Sequence, residues 1–437
     1  MVWLLQGLLG CEPGEVTALD LGCGDAGRLV VATGAREGSD RGVAVRREPD
    51  GTTLLFGTVD DPLPEDSIQE AWLASVRLDD SCAVDPAYGA GGLAWLVASD
   101  PDSAPESLGA VVAAEDGGSA LYGVAAAPYP LDDGTVASFP AAFATAVDRD
   151  GAPLGGLAAR HVVAPGQPYP EDLELRGVAA RPDGNVQLLT ESWSGPALLA
   201  TDGVAVDEAL AWLALDATRV EGLAVLDDGA IVIGGTFPDA GAVPGLIRLA
   251  ADGAVDTAFG TAGVAGVGTG GDVESRTSVA ALPDGRLLLA GVVDLDGGYQ
   301  ALGVIRFAAD GAVDRTFGDN GVARIDLGAL GHANHHALQV LAVASDGAIL
   351  LGGDVDDLDD PSGPRIGAAR LLPDGDLDPS FADGGVFTAD TADETLGGLD
   401  AATDGVVTLI ATHAVSDRVG EWVVYRLAPG AQGQAVR

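Results

Sequence analysis

Recurrent Asp-Gly turns, short apolar runs between them, and a final unit that stops short while the first begins mid-unit predict an all-β fold. The fold expected is a seven-bladed β-propeller of four-stranded blades, closed by an N-terminal strand that completes the last blade. The turns centre on Gly51, Gly117, Gly184, Gly229, Gly285, Gly347 and Gly405. Asp-Gly between apolar runs is a strong hairpin signal, because Gly accepts the positive φ of the turn. A helical reading fails: the runs are too short and are punctuated by Gly, Pro and Asp.

The elements follow in order. Leu19 to Gly27 matches Leu377 to Gly385, so Arg28 to Ala32 is an outer strand following that turn. Each Asp-Gly turn then joins a run carrying Ala and Val to one rich in Leu, Ile and Val. Val279 to Gly285 followed by Leu287-Leu288-Leu289 is one case, and Val340 to Gly347 followed by Ile349-Leu350-Leu351 is another. Asp133-Gly134 reads as a loop insertion, since Gly117 and Gly184 already bracket one unit. A third run ends at Arg248, Arg306 or Arg370, and the turn after it carries an Asp (Asp256, Asp314, Asp378), a Phe (Phe259, Phe317, Phe381) and a Gly (Gly263, Gly321, Gly385). Arg77, Asp85, Tyr88 and Gly92 form a weaker copy. A fourth run follows each Gly. After Tyr425-Arg426-Leu427 the last unit lacks this turn and its fourth strand, and the leading half-unit supplies both, removing two sheet edges.

Residues repeated once per blade serve the blade. The Phe side chains should wedge between blades, the Asp carboxylates should accept backbone N–H groups, and the Arg side chains should pair with a nearby carboxylate. Trp193, Trp212 and Trp422 are expected in the core.

The pattern Arg-Leu-x-x-Asp-Gly-x-x-Asp-x-x-Phe-Gly-x-x-Gly-Val, followed by a second Asp-Gly hairpin, resembles the delta-60 repeat family of bacterial surface and secreted proteins. The resemblance is specific over residues 220–427, fair over 43–100 and weak between. It implies a β-propeller and no particular reaction.

The chain of 437 residues has a formal net charge of −44, with 47% apolar and 5% aromatic residues. The apolar share excludes a disordered chain. The charge argues against nucleic acid and against direct binding to an anionic membrane. No apolar run is long enough for a spanning helix. Leu8-Leu9-Gly10-Cys11 resembles the lipobox of bacterial lipoproteins, which makes residues 1–11 a signal segment, Cys11 the lipidated residue and residues 12–437 one propeller domain. An exported lipoprotein or secreted protein is therefore expected, touching membrane only through its lipid. Cys23 and Cys82 fall in turns of the last and first blades on one face, where they would form either a disulfide across the closure or two semi-buried thiols.

Two features break the repeat. Gly331-His332-Ala333-Asn334-His335-His336 lies in a connection between blades, and Asp354, Asp356, Asp357, Asp359 and Asp360 lie in an acidic loop of the next blade. His332, His335, His336, Asp354 and Asp356 are candidate ligands for Zn²⁺ or Ca²⁺. No nucleophile elbow, zinc-protease motif or phosphate loop occurs. The expectation is a monomeric, non-catalytic binding or scaffold protein with a protein or polysaccharide partner. The alternative is a metal-assisted hydrolase or lyase with its site in these loops.

Overall fold

The structure, a computed structural model, describes residues 23, 28–31, 40–60, 71–96, 104–114, 117–155, 157–201, 206–212, 219–237, 243–266, 277–295, 299–327, 334–357, 363–403, 405–416 and 419–427. Residues 1–11, with Cys11, lie outside them. Every element of the described residues is a strand. Strand β1 is Arg28–Val31. Blade 1 is β2–β5 (Arg41–Arg47, Thr53–Asp60, Ala71–Leu78, Leu93–Leu96) and blade 2 is β6–β9 (Ala104–Ala113, Ser119–Pro130, Val136–Val147, Ala158–Arg160). Blade 3 is β10–β13 (Glu174–Ala180, Val186–Ser192, Gly195–Thr201, Val206–Trp212) and blade 4 is β14–β17 (Arg219–Val225, Ile231–Phe237, Val243–Leu249, Val264–Gly266). Blade 5 is β18–β21 (Ser278–Ala281, Leu287–Leu295, Tyr299–Phe307, Val322–Ile325) and blade 6 is β22–β25 (Asn334–Val343, Ile349–Asp357, Arg365–Leu371, Val386–Thr388). Blade 7 is β26–β28 (Glu394–Ala401, Val407–Ser416, Val419–Leu427) with β1 as its outer strand.

Each blade is an antiparallel meander, and its inner strand touches the inner strands of both flanking blades, β26 returning to β2. The ring is thus a closed seven-bladed β-propeller. β1 pairs with β28, Arg28 opposite Tyr425 and Val31 opposite Trp422, so the blade formed from both ends of the chain is as expected. The apolar core divides into seven slabs, one at each blade joint. Phe259 packs with Leu287 and Phe307 between blades 4 and 5, Phe317 with Ile349 and Leu371 between 5 and 6, and Phe381 with Val407 and Leu409 between 6 and 7. Around the axis the inner strands come so close that a Cβ on Gly397 would lie 1.9 Å from the Gly42 carbonyl oxygen. Only glycine fits there.

The meander sorts the connections onto two faces. Asp-Gly hairpins and the Arg/Asp/Phe turns share one face; the other carries the second hairpin of each blade and the crossings between blades. On the first face the repeated motif staples blade 1 to 2, 4 to 5, 5 to 6 and 7 to 1. Asp314 Oδ1 accepts the Thr316 amide at 3.1 Å, and Oδ2 accepts Arg306 Nε at 2.8 Å. Arg77–Asp85 and Arg370–Asp378 form the same pair, at 2.7 and 2.9 Å. The same arginines reach across the joint. Arg77 donates to the Arg149 carbonyl, Arg248 to Ala309, Arg306 to Pro373 and Arg426 to Asp80, all at one position of the next blade's hairpin.

The joint between blades 7 and 1 is a covalent version of the others. At Gly375, whose φ is +97°, an added Cβ would sit 2.8 Å from the Phe317 ring of the preceding blade. Gly151 stands likewise 2.9 Å from the Tyr88 ring. In blade 1 the same hairpin position is Cys82, at φ +61°. On the blade 7 side, Cys23 takes the place of the aromatic ring. The two are disulfide-bonded, with Cα atoms 4.9 Å apart. An aromatic-on-glycine contact has been exchanged for a bond along the same line.

A second lock holds β1. Arg28 Nη2 donates to Glu394 Oε1 at 2.9 Å, and the Tyr425 hydroxyl donates to Glu394 Oε2 at 2.7 Å. Glu394 is fully buried. Burial pushes its carboxyl above the usual range, against the opposing pull of Tyr425 and Arg28. The Tyr425 phenol is raised too, by burial first and by the neighbouring carboxylate second.

Candidate functional site

The repeated face is occupied with holding the ring together, so a site is sought where the repeat breaks on the opposite face. Blade 2 departs most. Its middle strands, β7 and β8, pair over twelve positions, from Ser119↔Val147 to Pro130↔Val136. The extension ends at the Asp133-Gly134 turn, so the insertion expected there is a lengthened hairpin, with Gly134 at φ +83°.

That extension carries rings. Tyr129 and Phe139 lie on one face of the hairpin as a diagonal pair, centroids 5.9 Å apart and edge to face. His161, in the crossing from blade 2 to blade 3, meets Tyr129 edge to face at 5.1 Å. Its ring nitrogens lie 3.1 and 3.3 Å from the carbonyl oxygens of Pro128 and Pro140, spanning the two strands. Tyr169, further along the crossing, stacks on Phe139 at 5.8 Å and is 49% exposed. Four rings therefore run in one file, His161–Tyr129–Phe139–Tyr169.

A fifth ring stands on blade 3. Trp193, in the turn between β11 and β12, is 85% exposed, which corrects the core position expected for it. Trp422, by contrast, is fully buried; Trp212 has no described side chain. Periodicity places Trp193 at a strand end but does not tell which way a turn residue faces. A clasp holds the turn. Glu171 Oε1 accepts the Ser194 hydroxyl at 2.8 Å, and Oε2 accepts the Ser194 amide at 2.8 Å and the Ser192 hydroxyl at 3.1 Å. Asp172 Oδ2 accepts the indole N–H at 3.4 Å. The Ser194 and Ser192 bonds hold the Glu171 carboxyl below its ordinary range. Clasp and Tyr169 belong to the same crossing segment, so Trp193 and the ring file are mounted together.

Toward the axis the ledge is bounded by ion pairs. Arg176 Nε lies 2.9 Å from Glu191 Oε2 and its Nη2 2.5 Å from Glu174 Oε2. Arg219 Nε lies 2.5 Å from Glu221 Oε1. These carboxylates already face guanidinium groups.

The expected metal ligands fall otherwise. His332 lies outside the described residues. His335 and His336 are in strand β22 rather than a loop, and Asp354 and Asp356 are in β23, because this pair of strands runs on to Asn334↔Asp357. Asp359 and Asp360 lie outside the described residues. His336 pairs with Val355 and its buried Nε2 accepts the Leu327 amide at 3.2 Å, on the blade 5 side. Asp354 turns to the blade 7 side, accepting the Leu396 amide at 2.7 Å and Gln339 Nε2 at 2.8 Å. Neighbouring positions of a strand project to opposite faces, so His336 and Asp354 do not converge. His335 pairs with Asp356 in the register. Among the described residues, no three His, Cys, Asp or Glu side chains gather in a way that would hold a metal ion.

The fold and the repeat together define a seven-bladed propeller closed by strand exchange between its ends. Residues 226–259, 282–317 and 344–381 match a family described as "Domain of unknown function (DUF5122) beta-propeller". Each stretch runs from an Asp-Gly hairpin to the Phe of the following turn. No curated protein matches the sequence. Among solved structures, a protein of unknown function from Dyadobacter fermentans is similar at 13% identity, covering 92% of this chain and 98% of that one, with a TM-score of 0.47. A polysaccharide lyase of family PL25, an ulvan lyase, is similar at 10% identity, 93% and 97% coverage and a TM-score of 0.49. YCF48 from Cyanidioschyzon merolae is similar at 9% identity, 92% and 98% coverage and a TM-score of 0.44.

Proposed function

We propose that this chain is a non-catalytic binding propeller of the delta-60 repeat type, exported from the cell, whose ligand surface is the aromatic ledge of blades 2 and 3. One observation carries the reading: Trp193 is held in solvent by a clasp made for its own turn. Leaving so large a ring exposed forgoes on the order of 2–3 kcal/mol of burial. Fixing it there lowers the entropy lost when a ligand covers it. The Cys23–Cys82 bond supports export, since disulfides persist in oxidising compartments. Attachment through Cys11 belongs to the same proposal, with acyl labelling that a C11S variant abolishes as its check.

The test separates binding from turnover. Polysaccharides and peptides are incubated with the purified protein, and retained material is weighed by mass spectrometry before and after. Retention with unchanged mass is expected. Shortened or unsaturated products that disappear in an E191Q variant would overturn the non-catalytic reading.

A further inference from the structure

We infer that the ledge takes a neutral polysaccharide chain, an inference that rests on the ledge being the binding surface. A sugar ring presents an apolar C–H face together with hydroxyl donors, and an aromatic ring with a polar rim is its complement. The ledge offers two exposed rings, Tyr169 at the end of the file and Trp193 on the neighbouring blade, while the rings behind Tyr169 pack on one another. Two exposed rings mounted on one crossing segment suit an extended polymer, with one sugar unit on each.

Charge narrows the choice. Glu171, Asp172, Glu174 and Glu191 border the ledge on a chain of net charge −44, so a polyuronate or sulfated glycan would be repelled. A basic peptide fares poorly for a different reason. Both oxygens of Glu171 already accept from Ser192 and Ser194, and Glu174 and Glu191 already face Arg176. Arg176 already meets part of the charge of Glu174 and Glu191, which leaves an arriving cation less to gain there, while the lone pairs that remain accept sugar hydroxyls.

The experiment is calorimetric titration of the full chain with hexasaccharides of β-1,4-glucan, β-1,3-glucan, xylan and mannan, beside hexagalacturonate, a proline-rich peptide and hexa-arginine. The proteins are wild type, Trp193→Ala, Tyr169→Ala and a distant surface control, Val415→Ala. Both ring variants remove exposed side chains, so their melting temperatures should match wild type. At least one neutral hexasaccharide is expected to bind wild type and the control alike, and to bind each ring variant about tenfold more weakly, the loss of one stacked ring. No neutral binding, or neutral binding indifferent to both rings, overturns the inference. If a peptide or the polyuronate binds in a ring-dependent way while no neutral sugar does, the glycan is wrong and the ledge stands as the binding surface. If no probe responds to either ring, both readings fall.

Discussion

At the scale of single residues, the repeated Asp is the most heavily used side chain. Asp314 accepts from the Thr316 hydroxyl at 2.6 Å, from its amide and from Arg306, and its pKa is lowered to about 2, the Thr316 hydroxyl being the largest cause. A folded pKa below the unfolded value of about 3.9 gives stability that is fully present above pH ~4 and is lost as pH falls through ~2. An Asp314→Asn variant is therefore expected to lose about 1.5–3 kcal/mol at pH 7. Its deficit against wild type should shrink between pH ~4 and ~2, read from urea midpoints at stepped pH. This residue was legible in the sequence because it recurs with its Arg and Phe at fixed spacing. Trp193 was not, since it occurs once, and nothing in its neighbourhood states that Glu171, twenty-three positions before Ser194, would clasp its turn.

Among elements, β1 depends most on partners remote in sequence. Its four residues pair with β28, and Arg28 enters the buried Glu394 site from the far end of the chain. Removing Arg28 takes the guanidinium from the buried Glu394 carboxyl and leaves it only the Tyr425 hydroxyl donor, at a cost of up to about 3–5 kcal/mol. Arg28→Met should show that loss at neutral pH. The carboxyl it leaves behind has a folded pKa above its unfolded value, so the folded state binds the extra proton. Stability then falls as pH rises through that window, and the Arg28→Met deficit should narrow as pH is lowered. A deficit that stays constant from pH 7 to 4.5 would count against this account. Gly397→Ala tests the axis: a Cβ against the Gly42 carbonyl should cost at least about 1–3 kcal/mol, seen as a lower melting temperature. The truncated last unit made the strand exchange legible. The Glu394 lock was not, because Glu394 lies 366 positions from Arg28 and outside any repeated motif. The strand ends that hold His336 and Asp354 read as connections in the sequence because their polar composition resembles one, whereas the apolar runs beside them read as strands.

For the whole molecule, closure combines the pairing of β1 with β28 inside blade 7 with contacts across the joint to blade 1: Cys23 with Cys82, Arg426 with the Asp80 hairpin, β26 against β2, and the apolar slab of Leu55, Ile410 and Trp422. Replacing both cysteines by serine is expected to cost about 2–4 kcal/mol and to lower the melting temperature, with the strand pairing retained. Deleting residues 15–33 removes the strand itself and should give aggregation through the exposed edge of β28, measured by light scattering. The number of blades and the manner of closure could be read from the chain because repeats state themselves many times over. The proposed ligand surface could not, since a site is by nature the place where the repetition lapses.

The exchange of strands between the two ends also sets an order of events. Arg28 and Tyr425 are 397 positions apart, so the segment holding Leu29, Val30 and Val31 emerges from the ribosome long before its only sheet partner exists. Six blades can assemble by local meanders while that early ribbon waits. Completion of the circle is then the long-loop event of biosynthesis, and Leu29 and Val31, the residues of this ribbon that fold inward, stay uncovered until it happens.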